Sequence, residues 1–382
     1  MLDYERVFYA LRREGVCFYA GVPDSYLNGF CDYALRHIDR ERYIIAANEG
    51  NAIGVAVGHY LSTREIPLVF MQNSGIGNAL NPLVSLVDEA VYSVPMVLLI
   101  GWRGEPGKGD WPQHKLQGEI TEGLMDLMRI PFSILSDDID DFQKKLNEAV
   151  RIASEERRAY ALIVPKGVLT GKKPNEEDDN YPLSREDAIE TVLDCFPSDT
   201  VYVASTGRIT RELFYLRKRR GEDGRRDILN VGSMGHASSI GLGVAMGRGF
   251  PVVCLDGDAA AIMHMGALAI IGQKRGIDYT HIVLNNGQHE SVGGQPSAGY
   301  GIDLTLIAEA CGYKTAGKPI VDRRQMESIL GDFRIESVPK NQQRPAFIDV
   351  RIHSGIKSAL PPLDFDHQRA IDEFMEEVGT DK

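Results

Sequence analysis

Residues 253–259 read Val253-Cys254-Leu255-Asp256-Gly257-Asp258-Ala259, and residues 282–287 read Ile282-Val283-Leu284-Asn285-Asn286-Gly287. Each is an apolar run that ends in a polar turn. The segment between them, Ala259 to Lys274, is rich in Ala, Ile and Met and reads as a helix, with Arg275-Gly276-Ile277-Asp278 as its exit. Strand, helix and strand of this length make a crossover unit in a parallel sheet. Ligands of such sheets bind where the strand ends open. Asp258 and Asn286 lie 28 positions apart and would offer two hard oxygens at neighbouring strand ends. A few hard oxygens suit Mg²⁺ held together with a substrate diphosphate, and Gly257 lets the backbone come close to phosphate.

The same alternation runs outward in both directions. Towards the N-terminus, apolar spacing over Tyr4 to Glu14 predicts an amphipathic helix. Strands are expected at Val16 to Ala20, Tyr43 to Ala47, Pro67 to Met71, Val94 to Ile100, Phe132 to Leu135 and Ala161 to Val164. Helices are expected at Ala52 to Leu61 and from Leu80 to Ala90, and Gly101 to Gly118 reads as a long polar loop. Residues 171–180, Gly171-Lys172-Lys173-Pro174-Asn175-Glu176-Glu177-Asp178-Asp179-Asn180, have no apolar face and read as part of a linker. Beyond it the theme returns. Ser184 stands as a cap for a helix to Asp194, and a strand over Thr200 to Ala204 ends at Ser205-Thr206-Gly207. A helix from Thr210 to Lys218 leads into a charged exposed loop, Arg217 to Arg226. A strand over Ile228 to Val231 runs into Gly232-Ser233-Met234-Gly235, and the last strand lies at Ala346 to Ile352. The expectation is two α/β domains with doubly wound parallel sheets, at 1–169 and 184–382, joined by a linker at 170–183.

Composition narrows the partners. The chain has 382 residues, 43% apolar and 25% charged, as in a soluble globular protein of two or three domains. A net charge of −12 argues against nucleic acid. The five cysteines (17, 31, 195, 254, 311) show no paired spacing, which fits a reduced cytoplasmic setting without a disulfide framework. Charges from Asp3 onward argue against a secretory leader, and no apolar run is long enough to span a membrane.

The paired turns resemble the diphosphate motif of thiamin diphosphate enzymes: Gly-Asp-Gly, about two dozen residues, then Asn-Asn. Here 25 residues separate Ala259 from Asn285, and Ala259 replaces the family's usual glycine. The resemblance implies the thiamin diphosphate-binding fold, with a pyrimidine-binding domain followed by a diphosphate-binding domain. It implies that Asp258, Asn286 and the backbone oxygen of Gln288 hold Mg²⁺. Gly257, Ala259, Thr206, Gly207, Ser233, Asn73 and Ser74 become further cofactor contacts, and Met234 the apolar wedge between the two cofactor rings. Glu49, at a strand end before a small-residue helix, resembles the glutamate placed against the aminopyrimidine ring. As a bare feature it also suits a helix N-terminus.

The likeness narrows over Gly21-Val22-Pro23-Asp24-Ser25, Trp111-Pro112-Gln113-His114-Lys115-Leu116-Gln117-Gly118 and Asn286-Gly287-Gln288-His289-Glu290-Ser291-Val292-Gly293-Gly294-Gln295-Pro296. These resemble the phosphonopyruvate and sulfopyruvate decarboxylases. The substrate then implied is a small 2-oxo acid with an anionic group on carbon 3. The reaction implied is decarboxylation of 3-phosphonopyruvate to phosphonoacetaldehyde in phosphonate biosynthesis. Alternatives are the sulfonate substrate, or a module that binds a diphosphate without chemistry. Ser25, Arg103 and His114 are candidates for the anion, since phosphonate and sulfonate need cations or hydrogen-bond donors. Asp24 and His289 are candidates for proton transfer, the histidine because its ordinary pKa suits neutral pH. Asp24 also suits a helix cap, and His264 reads as a satisfied core histidine. Because Glu49 and Asp258 lie in different domains, the resemblance implies a homo-oligomer with active sites at the subunit interface.

Overall fold

A computed structural model describes residues 2–170, 181–248, 250–335, 343–355, 360, 363–364 and 366–380. The expected linker residues 171–180 lie outside them. The chain divides into two compact units, Met1–Asn175 with Ser291–Gln295, and Glu176–Glu290 with Pro296–Lys382.

The first unit runs β1 (Leu2–Asp3), α1 (Tyr4–Arg13), β2 (Tyr19–Gly21), α2 (Asn28–His37), β3 (Tyr43–Ile45), α3 (Glu49–Thr63), β4 (Leu68–Gln72), α4 (Ile76–Pro82), β5 (Met96–Gly101), α5 (Pro112–Leu127), β6 (Phe132–Ile134), α6 (Ile139–Glu156), β7 (Ala159–Val164) and β8 (Leu169–Thr170). Its six-stranded parallel sheet has the order β3-β2-β4-β5-β7-β6. Alternate residues of β4 and β5 enter different cores. Leu68, Phe70, Val97 and Leu99 pack on one side with Phe8 and Phe142, and Val69, Met71, Leu98 and Ile100 on the other with Ile53 and Met125. Both faces are therefore covered, which is why these strands read as continuous apolar runs. β1 and β8 form a separate parallel pair, so Thr170 is a strand residue and not linker.

The second unit runs α7 (Arg185–Cys195), β9 (Val201–Ala204), α8 (Arg208–Arg220), β10 (Asp227–Leu229), α9 (Ala237–Arg248), β11 (Val252–Gly257), α10 (Asp258–Met263), α11 (Gly266–Gly272), β12 (Tyr279–Asn285), β13 (Gln288–His289), β14 (Gln295–Pro296), α12 (Leu304–Cys311), β15 (Lys314–Thr315), α13 (Arg323–Ile335), β16 (Ala346–Arg351) and α14 (His367–Thr380). Its six-stranded parallel sheet has the order β10-β9-β11-β12-β16-β15. Counted within each sheet, both units read 2-1-3-4-6-5. The two halves share a topology that no residue-level repeat announces. In each, the strand order reverses between the first and third strands, where open α/β sheets bind ligands.

Four expectations are corrected. The polar loop from Gly101 ends at Trp111, because Pro112 opens α5 at the first helical position. The helix expected through Ala90 ends in a π-helical turn at Leu83–Val87. The helix over Ala259 to Lys274 is two helices, broken at His264 and Met265 just before Gly266. Arg217 is not an exposed loop residue: it lies in the last turn of α8, with Nε and Nη2 each 2.9 Å from the Asp227 carboxylate. Among the described residues no helix is long and apolar enough to cross a membrane.

Candidate active site

In the first unit the candidates gather at the ends of β2, β4 and β5. Asp24 follows β2 and is fully buried. It does not cap α2, whose N-cap is Leu27 with no side-chain bond. Its carboxylate accepts from Gln72 Nε2 at 2.5 Å and from the backbone N–H of Tyr26 at 2.9 Å. Burial raises its pKa, against the opposing pull of Gln72, Tyr26 and the Arg103 charge. A fully buried carboxyl with a raised pKa is equipped to hold a proton.

Glu49 is the first residue of α3, with Asn48 as the cap through a 2.9 Å bond from Asn51 N. Glu49 is a helix N-terminal residue, as its place in the sequence suggests, and its side chain is buried, 5% exposed. The helix terminus favours the charged form, yet burial prevails and its pKa is raised. Oε2 accepts from Asn78 Nδ2 at 2.7 Å. Glycines make room for both carboxylates. A Cβ on Gly75 would lie 2.5 Å from Glu49 Cδ, and one on Gly101 would lie 3.0 Å from Asp24 Cγ.

Arg103 follows β5, with Nε and Nη2 gripping Asp110 at 2.7 and 2.5 Å and Nη1 3.2 Å from Ser25 Oγ. Its guanidinium stacks over Tyr26, 5.0 Å from the ring centre. Burial resists ionisation of Asp110, but Arg103 and two backbone N–H groups outweigh it and hold the carboxyl well below its usual range. Arg103 therefore brings oriented donors and not an unpaired charge. Asn73 is buried with its amide committed: Nδ2 donates to Arg103 O and Thr121 Oγ1 at 2.8 and 2.9 Å, and Oδ1 accepts from Arg103 N. Ser74 is exposed and donates to Gln72 at 2.6 Å. His114 sits half-buried on α5, its Nδ1 unbonded among the described residues, and burial lowers its pKa. Lys108 pairs with Glu105 at 2.9 Å.

In the second unit β11 and β12 are neighbours, and Asp258 and Asn286 stand just past their ends. Asp258 is 2% exposed. It accepts from the Ser297 hydroxyl and the backbone N–H of Asn286, and burial pushes its pKa up to about 6. Among the described residues no lysine or arginine pairs with it. A buried carboxylate without a cation, beside the Asn286 amide, fits a small divalent ion by the chemistry of its donors. Gly299 packs on the site so closely that a Cβ would lie 2.5 Å from Asp258 Oδ2. Gly207 adopts φ 99° and ψ −127°, a conformation reserved for glycine, and is the N-cap of α8. Thr206 does not cap that helix. Its hydroxyl donates to Val231 O at 3.0 Å. Ser233 is exposed with φ 53°, Met234 is half-buried, and Ala259 is 8% exposed.

Two histidine expectations change. His289 is 8% exposed and burial pushes its pKa down to about 4, so at neutral pH it is an uncharged donor or acceptor. His264 stands at the break between α10 and α11, its ring 4.4 Å from that of His236, and its buried Nε2 has no partner among the described residues. Sequence reasoning missed Gln72, Asn78, Asp110, Ser297 and Glu290. Only Glu290 lay inside a quoted motif, and the others touch their targets across 29 to 48 positions or, for Asp110, within the loop read only as polar.

Residues 4–127 match the thiamine pyrophosphate enzyme N-terminal TPP binding domain, and residues 207–350 match the C-terminal TPP binding domain. The chain is 34% identical over 316 residues to a phosphonopyruvate decarboxylase of Streptomyces viridochromogenes, covering 78% of this chain and 77% of the relative. It is 25% identical to a sulfopyruvate decarboxylase of Methanosarcina acetivorans over 99% of this chain and 98% of the relative. It is also 30% identical to sulfopyruvate decarboxylase subunit beta of Methanothermobacter thermautotrophicus, over 51% of this chain and 96% of the subunit.

Proposed function

Because the chain belongs to the thiamine pyrophosphate enzyme family and is a carboxy-lyase of the phosphonopyruvate and sulfopyruvate type, we propose that it converts 3-phosphonopyruvate to phosphonoacetaldehyde and CO₂, a step of phosphonate biosynthesis. The phosphonate is preferred over the sulfonate because of the 34% identical relative named phosphonopyruvate decarboxylase. The alternative of a module without chemistry gives way to relatives that are decarboxylases along most of their length. The observation that carries the reading is Glu49: a carboxyl 5% exposed, its pKa raised, at the N-terminus of a helix in the unit that matches the N-terminal cofactor domain.

Bound thiamin diphosphate supplies the electron sink for the pair left behind when CO₂ departs. In this reading the domain expected at 1–169 would bind the pyrimidine and the one at 184–382 the diphosphate. Glu49 would hold a proton at the pyrimidine ring, and Asn73 and Ser74, just past β4, would serve as further contacts. Asp258, Asn286 and the Gln288 carbonyl would hold Mg²⁺. Thr206, Gly207, Ser233, Gly257 and Ala259 border the diphosphate, where Gly207 brings the backbone close. Met234 sets the angle between the two rings. Arg103, its donors aimed by Asp110, binds the substrate anion with Ser25 and His114. Asp24, whose burial raises its pKa, is the group proposed to deliver the proton that replaces CO₂ on the substrate carbon, and His289 is proposed as a second proton-handling or hydrogen-bonding group. Glu49 and Asp258 are both needed, and we propose that copies of the chain assemble as a homo-oligomer to supply them.

The test is aldehyde and CO₂ formation from 3-phosphonopyruvate beside sulfopyruvate, with thiamin diphosphate and Mg²⁺ added. Preference for the phosphonate supports the reading. Preference for the sulfonate moves the substrate, and turnover of neither with cofactor bound overturns the anion site. A pH dependence follows from Asp258. A metal must displace the proton of a carboxyl whose pKa is about 6, so Mg²⁺ affinity is expected to fall about tenfold per pH unit below that value and to level off above it. Calorimetric titrations at pH 5, 6 and 8 check this, and a flat profile would remove Asp258 from the ligand set.

A further inference from the structure

Glu290 accepts four hydrogen bonds, and it belongs to no role assigned above. It is the residue that follows β13, and its side chain is 12% exposed. Each oxygen carries two donors. Oε2 accepts from Arg185 Nη2 at 2.5 Å and from Asn286 Nδ2 at 2.9 Å, while Oε1 accepts from Arg208 Nη1 at 2.8 Å and from the backbone N–H of Gly355 at 2.5 Å. Arg185 is itself 5% exposed and reaches Glu212 at 3.5 Å and Gly355 O at 3.2 Å. Glu290 thus ties the start of α7, the start of α8, the turn after β12 and the chain beyond β16 to one point.

We infer that Glu290 is a positioning residue for the metal-binding turn, one that fixes which end of the Asn286 carboxamide faces the cation. A side-chain amide has a donating and an accepting end, and it can turn over about its last torsion. A carboxylate only accepts, so the Asn286 nitrogen must point to Glu290. The oxygen is then the end left on the other side, where Gln288 N also donates to it at 3.2 Å. Oxygen is the end a hard divalent ion binds. The two arginines and the Gly355 N–H hold the Glu290 carboxylate in place, so the amide is oriented by the protein's own contacts. Partners of this kind typically change metal affinity by 10- to 100-fold when removed.

This inference rests on Asn286 being a Mg²⁺ ligand, and the experiment separates the two ideas. Thiamin diphosphate binding to the full-length protein is followed by calorimetry across a Mg²⁺ series, together with melting of the cofactor-free protein. Glu290→Gln replaces one acceptor oxygen by a donor, so four donors no longer have four places. The Mg²⁺ midpoint is expected to rise about 10- to 100-fold. In an Asn286→Ala background the same substitution is expected to add no more than about twofold, because Glu290 acts through that amide. If Glu290→Gln leaves the buried arginines too poorly paired to fold, Glu290→Asp keeps the charge and shortens the reach to Asn286, with the same expected shift. A midpoint like that of the wild type, or a shift that persists undiminished without Asn286, overturns the inference. If wild-type binding needs no Mg²⁺, the metal reading itself falls.

Discussion

Glu49→Gln is expected to lower turnover by about 10² to 10⁴-fold, the usual range for removing a positioned acid–base group, while the protein still folds and binds thiamin diphosphate. The substitution keeps the shape and keeps an acceptor for Asn78 Nδ2, so the 2.7 Å bond survives. It removes the proton that the raised pKa lets the carboxyl hold. Its effect on stability has a definite sign. A carboxyl with a raised folded pKa opposes folding as pH rises through its titration, because the buried charge must form. The glutamine has no such charge, so the melting temperature of the variant at neutral pH is expected to equal or exceed that of the wild type. Steady-state rates with saturating cofactor, beside a melting curve, make the test. Loss of rate with loss of fold would reduce Glu49 to a structural carboxylate, and an unchanged rate would refute the assignment outright.

The second large effect belongs to Asp258→Asn. Truncating one charge of a buried, desolvated pair typically costs 2–5 kcal/mol, and the expected loss of Mg²⁺-dependent cofactor affinity is about 10² to 10³-fold. The fold is expected to persist, since Asp258 has no cationic side-chain partner among the described residues and its pKa is pushed up to about 6 by burial. In the wild-type protein without metal, this group makes stability fall between about pH 4 and pH 6, because the folded state holds its proton longer than the unfolded chain does. Asp258→Asn should flatten that part of the curve. Melting temperatures across this range, without cofactor, check the claim; a steep curve in the variant would show that other groups carry it.

The fold was legible because both faces of each sheet are covered. Runs such as Val252–Leu255 and Ile282–Leu284 are apolar and lead into Gly-Asp or Asn-Asn-Gly turns, which marks strand and edge together. Asp258 and Asn286 could be read because the motif that pairs them is local, one crossover long. Asp110 could not, because its partner Arg103 turns a charged loop residue into a buried one only in three dimensions. The start of α5 was hidden for a related reason: Pro112 reads as a breaker, yet its missing N–H costs nothing at the first position of a helix. The pKa of His289 was misjudged because burial, unlike residue type, has no local signature on a single turn.

Gly75, Gly101 and Gly299 stand against Glu49, Asp24 and Asp258 with no room for another carbon. Glycine-to-alanine exchange is a favoured tool for hardening proteins, because it restricts the unfolded chain wherever the backbone allows it. None of these three glycines has a backbone angle that forbids alanine, so a survey of torsion angles alone would pass them as safe. In the proposed reading, what they guard is the place of a site carboxylate and not a backbone conformation. A methyl group at any of them would lie under 3 Å from the side chain of a buried carboxylate, which would have to move. In the proposed reading, a choice of glycine-to-alanine exchanges made on torsion angles alone would therefore displace the very carboxylates on which activity rests.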